Sequence, residues 1–163
     1  MSSKVEVTKT IVKHKGVFNF EQFHKHFYEI ISANGYLLKS DAHQQKDKDD
    51  GQEIEVNWDF EKEIDDYTKF AISVYYIVTS KKDVVIKRGD KEIKTNTGNA
   101  ALKITGTLIT DWQGNWDKSP ILKKLRNFYE RYLFKKTFDD YYAQVMGEVF
   151  LFENEMKAFF DLS

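Results

Sequence analysis

The chain has 163 residues, 41% hydrophobic and 31% charged, with 25 Lys and Arg against 26 Asp and Glu for a formal charge of -1. This size and balance call for one folded domain with a substantial core and exclude a disordered chain. They also exclude a global field that would draw the molecule onto nucleic acid or an anionic membrane, and the absence of cysteine excludes disulfides, thiolate catalysis and Cys-ligated zinc.

The opening MSSKVEVTKTIVKHKG has no apolar core of signal-peptide length. No later run reaches the ~20 apolar residues of a membrane span, so a cytoplasmic protein is expected. Aromatic residues are abundant, with 13 Phe, 9 Tyr and 3 Trp against one Pro; they suit a broad core, a stacking surface or the walls of a pocket. No repeat or Gly/Pro-rich linker divides residues 1–163, which read as a single α+β domain.

Residues 4–14, rich in Val, Ile and Thr, read as a strand ending near Gly16. A helix follows with its own start signals: Asn19 as N-cap, Gln22 three residues on, and Phe18 placed to pack on Phe23. Asn34-Gly35 closes it. Phe20, Phe23, Phe27, Ile30 and Ile31 form its apolar stripe. His24 and His26 sit two positions apart, about 200° around the helix, so they flank the stripe on opposite sides and cannot chelate one metal, which needs imidazoles one turn apart. His24 is the one placed to face a pocket.

From Tyr36 the period changes to that of strands. Residues 36–44 and 53–60 read as strands around a polar loop, the second alternating with Ile54, Val56, Trp58 and Phe60 on one face. The loop puts Lys46 and Lys48 where a calcium loop needs ligands, so no such site is expected. Residues 67–80 are apolar on both faces, as in a strand covered on both sides. Two strands flank Gly89-Asp90, a hairpin turn, and Gly98-Asn99 starts a further turn before a last strand with Leu102, Ile104 and Leu108 on one face. The Arg88-Gly89-Asp90 adhesion tripeptide is therefore read as part of a turn. Six antiparallel strands are expected after the first helix.

Beyond the sheet region the chain turns helical. Ser119-Pro120 starts a helix whose stripe is Ile121, Leu125, Phe128 and Tyr132. Thr137 with Asp140 marks a second start, with a break near Lys136. Phe138, Tyr142, Val145, Val149, Phe152, Met156 and Phe159 then make a strongly amphipathic helix of about 35 Å.

A sheet with one apolar face must cover it, and the helical stripes are the matching surfaces. This order, strand, helix, six antiparallel strands and a long C-terminal helix, resembles the helix-grip (START-like) superfamily, in which a curved antiparallel sheet wraps a long terminal helix. The chain departs from that pattern in having one helix where the superfamily has a pair after the first strand, and in adding the helix before the terminal one. The resemblance implies a small apolar or aromatic molecule held between sheet and terminal helix. His24, Trp58, Phe60, Tyr75, Tyr76, Val149 and Phe152 are the wall candidates.

No nucleophile elbow, phosphate-binding glycine loop or metal-spaced cluster is present, so the chain reads as a binding module rather than an enzyme, with no cofactor or metal and no catalytic residue assigned. Asp65, Asp66 and Asp111 at strand ends read as turn residues. Two further binding modes remain. The helical stretch 121–136 carries Lys123, Lys124, Arg126, Arg131, Lys135 and Lys136 beside Tyr129 and Tyr132, a basic and aromatic mixture able to contact RNA or an acidic partner. Tyr141, Met146, Phe150 and Phe160 widen the apolar surface of the last helix, as expected of a helix that docks a protein partner or a second copy in a homo-oligomer.

Overall fold

The computed structural model describes residues 2–162; Met1 and Ser163, the ends of the expected domain, lie outside the described residues. The order is β1 (Ser3–Phe18), α1 (Phe20–Ala33), β2 (Leu37–Lys48), β3 (Gly51–Glu63), β4 (Thr68–Arg88), β5 (Lys91–Thr110), a short turn of helix at Asn115–Asp117, α2 (Pro120–Phe128), a wide π turn at Tyr129–Leu133, and α3 (Lys135–Asp161). The strands form one curved antiparallel sheet in the order β1-β5-β4-β3-β2. The α+β class with a long terminal helix and a helix before it is as the sequence leads one to expect.

Among the described residues four strands, not six, follow α1. The expected strands 67–80 and 83–88 are one strand, β4, which starts at Thr68, and the segments on either side of Gly98-Asn99 are one strand, β5. The irregularity that looked like two breaks is a bulge between Thr79 and Lys82, where Ser80 adopts a positive φ of 55°, while Gly98 and Asn99 both stay paired with β1 and Asn99 also with β4. A bulge bends a strand without ending it. The Gly89-Asp90 turn is present as a two-residue hairpin, with Arg88 opposite Lys91. The loop expected at 46–52 is tighter, because β2 runs to Lys48 and the turn is only Asp49-Asp50.

Beyond the bulge, among the described residues, 84–88 and 91–95 pair only with each other, since β3 reaches no farther than Lys81 and β1 no farther than Asn96. The hairpin thus continues past the sheet as a two-stranded arm.

The inner face of the sheet carries Val56, Trp58, Phe60, Phe70, Ile72, Val74, Tyr76, Leu102, Ile104 and Leu108, all buried, and α1 and α3 cover it. Covering helices satisfy the apolar face of a one-sided sheet. β4 is covered on this face alone: its other face, with Ala71, Tyr75 and Ile77, is half-buried, so its two-sided apolar character does not reflect a second layer. The caps of α1 are those legible in the sequence. Asn19 accepts the Gln22 N–H at 3.0 Å, Phe18 packs edge-on against Phe23, and Gly35 takes a φ of 91° after the last turn. Where β5 passes under α3 stands Gly106, at which a Cβ would come within 2.7 Å of both Val145 and Val149.

Candidate functional site

The space between sheet and α3 is occupied by the chain's own side chains. Trp58, Phe60, Tyr76, Val149 and Phe152 are each at most 2% exposed. They pack among rings at edge-on angles, Trp58 lying 5.8 Å from Phe60 and 5.7 Å from Tyr76. Tyr75 does not join them. Successive side chains of a strand point to opposite faces, so Tyr75 lies on the outer surface and donates a hydrogen bond to Glu55 at 3.1 Å.

His24 is the one polar wall candidate on this side, and tertiary folding gives it neighbours that spacing could not. Its Nδ1 lies 2.5 Å from the Tyr76 hydroxyl, and its ring is 4.9 Å from Trp58 and 5.8 Å from His43. Asp41 organises the other half of the cluster: it lies 3.0 Å from His43 Nδ1 and accepts the Trp58 Nε1–H at 3.1 Å. Burial, reinforced by His43 and opposed by Asp41, lowers the His24 pKa and favours the neutral ring. His26 lies on the far flank of α1, stacked on Phe159 with Glu155 at 3.8 Å. Among the described residues no group of three or more His, Asp or Glu is arranged to hold a metal.

The most unusual local chemistry is at α2, which is turned the opposite way from its amphipathic pattern. The stripe Ile121, Leu125, Phe128 and Tyr132 faces solvent with Leu133 beside it, each 49% to 72% exposed. The inward residues are Leu122, Arg126 and Tyr129, and Arg126 is only 8% exposed.

The reason lies at the end of β5. Asp111 is 2% exposed, held in a left-handed conformation with φ 51°. A buried carboxylate needs a counter-charge. Arg126 supplies it at 3.7 Å, and also meets Asp117 at 3.5 Å and Glu130 at 3.1 Å. The guanidinium further donates to the Tyr67 hydroxyl at 3.2 Å and to Ser3 Oγ at 2.7 Å. Tyr67 donates to Glu130, and burial together with that carboxylate pushes its phenol well above the ordinary range. Burial alone would lower the Arg126 pKa, but Tyr67 and Glu130 outweigh it and raise it.

Around this hub Tyr129 stacks on Trp116, 5.5 Å between ring centres, and meets Phe134 at 5.6 Å. The inner side of α2 is therefore satisfied by one arginine and an aromatic cluster, which leaves the aliphatic stripe outward. The π turn follows, and the helix breaks at Phe134, two residues before the expected position; Phe134 is buried against Tyr67.

Of the basic residues in this stretch, Lys123, Lys124, Arg131, Lys135 and Lys136 are exposed, whereas Arg126 is not available to an outside partner. Lys124 and Arg131 are the i-4 and i+3 neighbours of Phe128, so they border the stripe. Only the Arg126–Glu130 pair, at i,i+4, was legible as local spacing; Ser3, Tyr67, Asp111 and Asp117 reach the hub through the fold.

Of the other strand-end acids, Asp65 serves the turn before β4: its Oδ1 accepts the backbone N–H groups of Tyr67 and Thr68 at 2.8 and 2.7 Å. No helix among the described residues is long and apolar enough to cross a membrane. No protein-family model matches the chain, and no curated protein resembles it in sequence.

Proposed function

We propose that the protein is a non-enzymatic docking module whose α2 face receives an acidic, amphipathic helical segment of another protein. The observation that carries this reading is the outward stripe Ile121, Leu125, Phe128 and Tyr132, with spacings of four, three and four, on a helix whose opposite side is anchored by Arg126. Apolar residues at that spacing form the seam by which helices pack on one another. An exposed apolar stripe of this extent on a chain of balanced composition marks a partner surface.

The rim decides between partners. Lys124 and Arg131 border the stripe, and Lys123, Lys135 and Lys136 are exposed in the same stretch, so a second copy placed face to face would set like charges together, while an acidic helix would meet opposite ones. The helix-grip alternative, an apolar guest between sheet and α3, has less support because Trp58, Phe60, Tyr76, Val149 and Phe152 already fill that space.

The test uses a fluorescent helical peptide with leucines at spacings of four and three and glutamates on both flanks, read by anisotropy. Binding that weakens with salt and falls at least tenfold in Leu125→Ser/Phe128→Ser, a pair of surface changes that leaves the melting curve intact, is the expected result. Equal binding of a lysine-flanked peptide overturns the charge argument. A homodimer dissolved by the same double substitution assigns the face to a second copy, and a complex sensitive to ribonuclease assigns it to RNA.

A further inference from the structure

A cleft of about 590 Å3 opens between the first turn of α1 and the root of the β4–β5 arm, outside the sheet–α3 interior and remote in sequence from the α2 face. Its wall includes Phe20, Ile54, Lys81, Val84, Lys94 and Asn96.

Asn96 is the informative residue. It is 5% exposed, and its Oδ1 accepts the Phe20 N–H at 2.9 Å, tying the arm to the start of α1. That bond fixes the orientation of the amide, because a reversed amide would set an NH2 group against an N–H donor. The Nδ2 group is consequently turned away from that N–H, buried and without a partner among the described residues. Native folds rarely leave such a donor unmet unless something else satisfies it.

The electrostatics favour an anion. Lys81 is 14% exposed and its ammonium lies 5.7 Å from the centre of the Phe20 ring. Its carboxylate neighbour at 3.5 Å, Asp83, is itself 90% exposed. Water competes well with an ion pair of that kind, so Lys81 is free to turn to a better-placed anion. The positive end of the 14-residue α1 adds to Lys81 and Lys94, opposed by the exposed Asp83 and Glu21. Phe20, Ile54 and Val84 give the cleft an apolar side.

We propose that this cleft binds a small organic anion, a carboxylate or phosphate group on a short apolar body. Its anionic oxygen takes the Asn96 Nδ2 hydrogen and the Lys81 ammonium, and its body lies on Phe20, Ile54 and Val84. The site is independent of the helical partner proposed for α2.

Two-dimensional 15N NMR tests it with three probes: hexanoate, hexyl phosphate and hexanol. Saturable shifts of the Asn96 side-chain amide and of the Phe20 and Glu21 N–H signals are expected with an anion and not with hexanol, and the tighter of the two anions identifies the headgroup. Asn96→Asp keeps the acceptor for the Phe20 N–H but puts an oxygen where the donor was, and weakens binding at least tenfold. Lys81→Gln weakens it several-fold. Hexanol shifting the same signals equally, anion shifts centred elsewhere, or wild-type affinity in either folded variant overturns the proposal. Should Asn96→Asp fail to fold, Lys81→Gln and the wild-type shift map decide it.

Discussion

Arg126 meets Asp111, Asp117 and Glu130 at 3.7, 3.5 and 3.1 Å while only 8% exposed, so its loss leaves Asp111 charged, buried and without a cation. Removing one partner of a buried ion pair costs about 3–5 kcal/mol. Urea unfolding of Arg126→Met is expected to show a loss of that size, and adding Asp111→Asn to recover part of it. A small, additive effect would show that the hub is ornamental. His24 gives a second residue-level expectation, with a definite sign. In the unfolded chain it takes up a proton around its ordinary pKa of 6.5, whereas in the fold burial and then His43 hold its pKa lower. As pH falls below 6.5 the unfolded state therefore binds more protons, and the contribution to stability present above that pH is progressively lost. Melting temperatures measured on acidification should fall less steeply in His24→Gln than in the wild type, and parallel slopes would refute the assignment.

At the scale of elements, α3 and α2 show two uses of the same amphipathic code. α3 follows it: Val145, Val149, Phe152 and Met156 are fully buried where their spacing places them. Gly106 lets that helix lie directly on β5. Because the atoms a Cβ would meet belong to stiff, β-branched valines at 2.7 Å, Gly106→Ala is expected to destabilise the domain by about 1–3 kcal/mol. A chemical-denaturation series with Val145→Ala and Val149→Ala added singly should show each truncation relieving part of the strain, and strict additivity would contradict the contact. α2 inverts the code, since an isolated stripe says which residues belong together but not which side the fold will need. The deciding facts are tertiary: a buried Asp111 at the end of β5, and a single arginine within reach. Likewise Asn19, Gly35 and the Gly89-Asp90 turn were readable because each acts within four residues. The bulge at Ser80 hid the continuity of β4, and the approach of His43 to His24 depends on the placing of β2 relative to α1.

For the whole molecule, the architecture was legible because a half-apolar sheet has few ways to be covered, while the filling of the interior was not, since volumes, unlike patterns, are not written in spacing. The expected wall residues were found together, apart from Tyr75, yet as filling rather than lining. The sheet also remains open: β1 pairs only with β5 and β2 only with β3, so neither rim meets the other. A ribbon with two loose rims keeps its bow through what is packed inside it, and here the terminal helix braces the β1 and β5 side. Lifting that brace would bare the sheet's apolar inner face while leaving every ladder of strands intact.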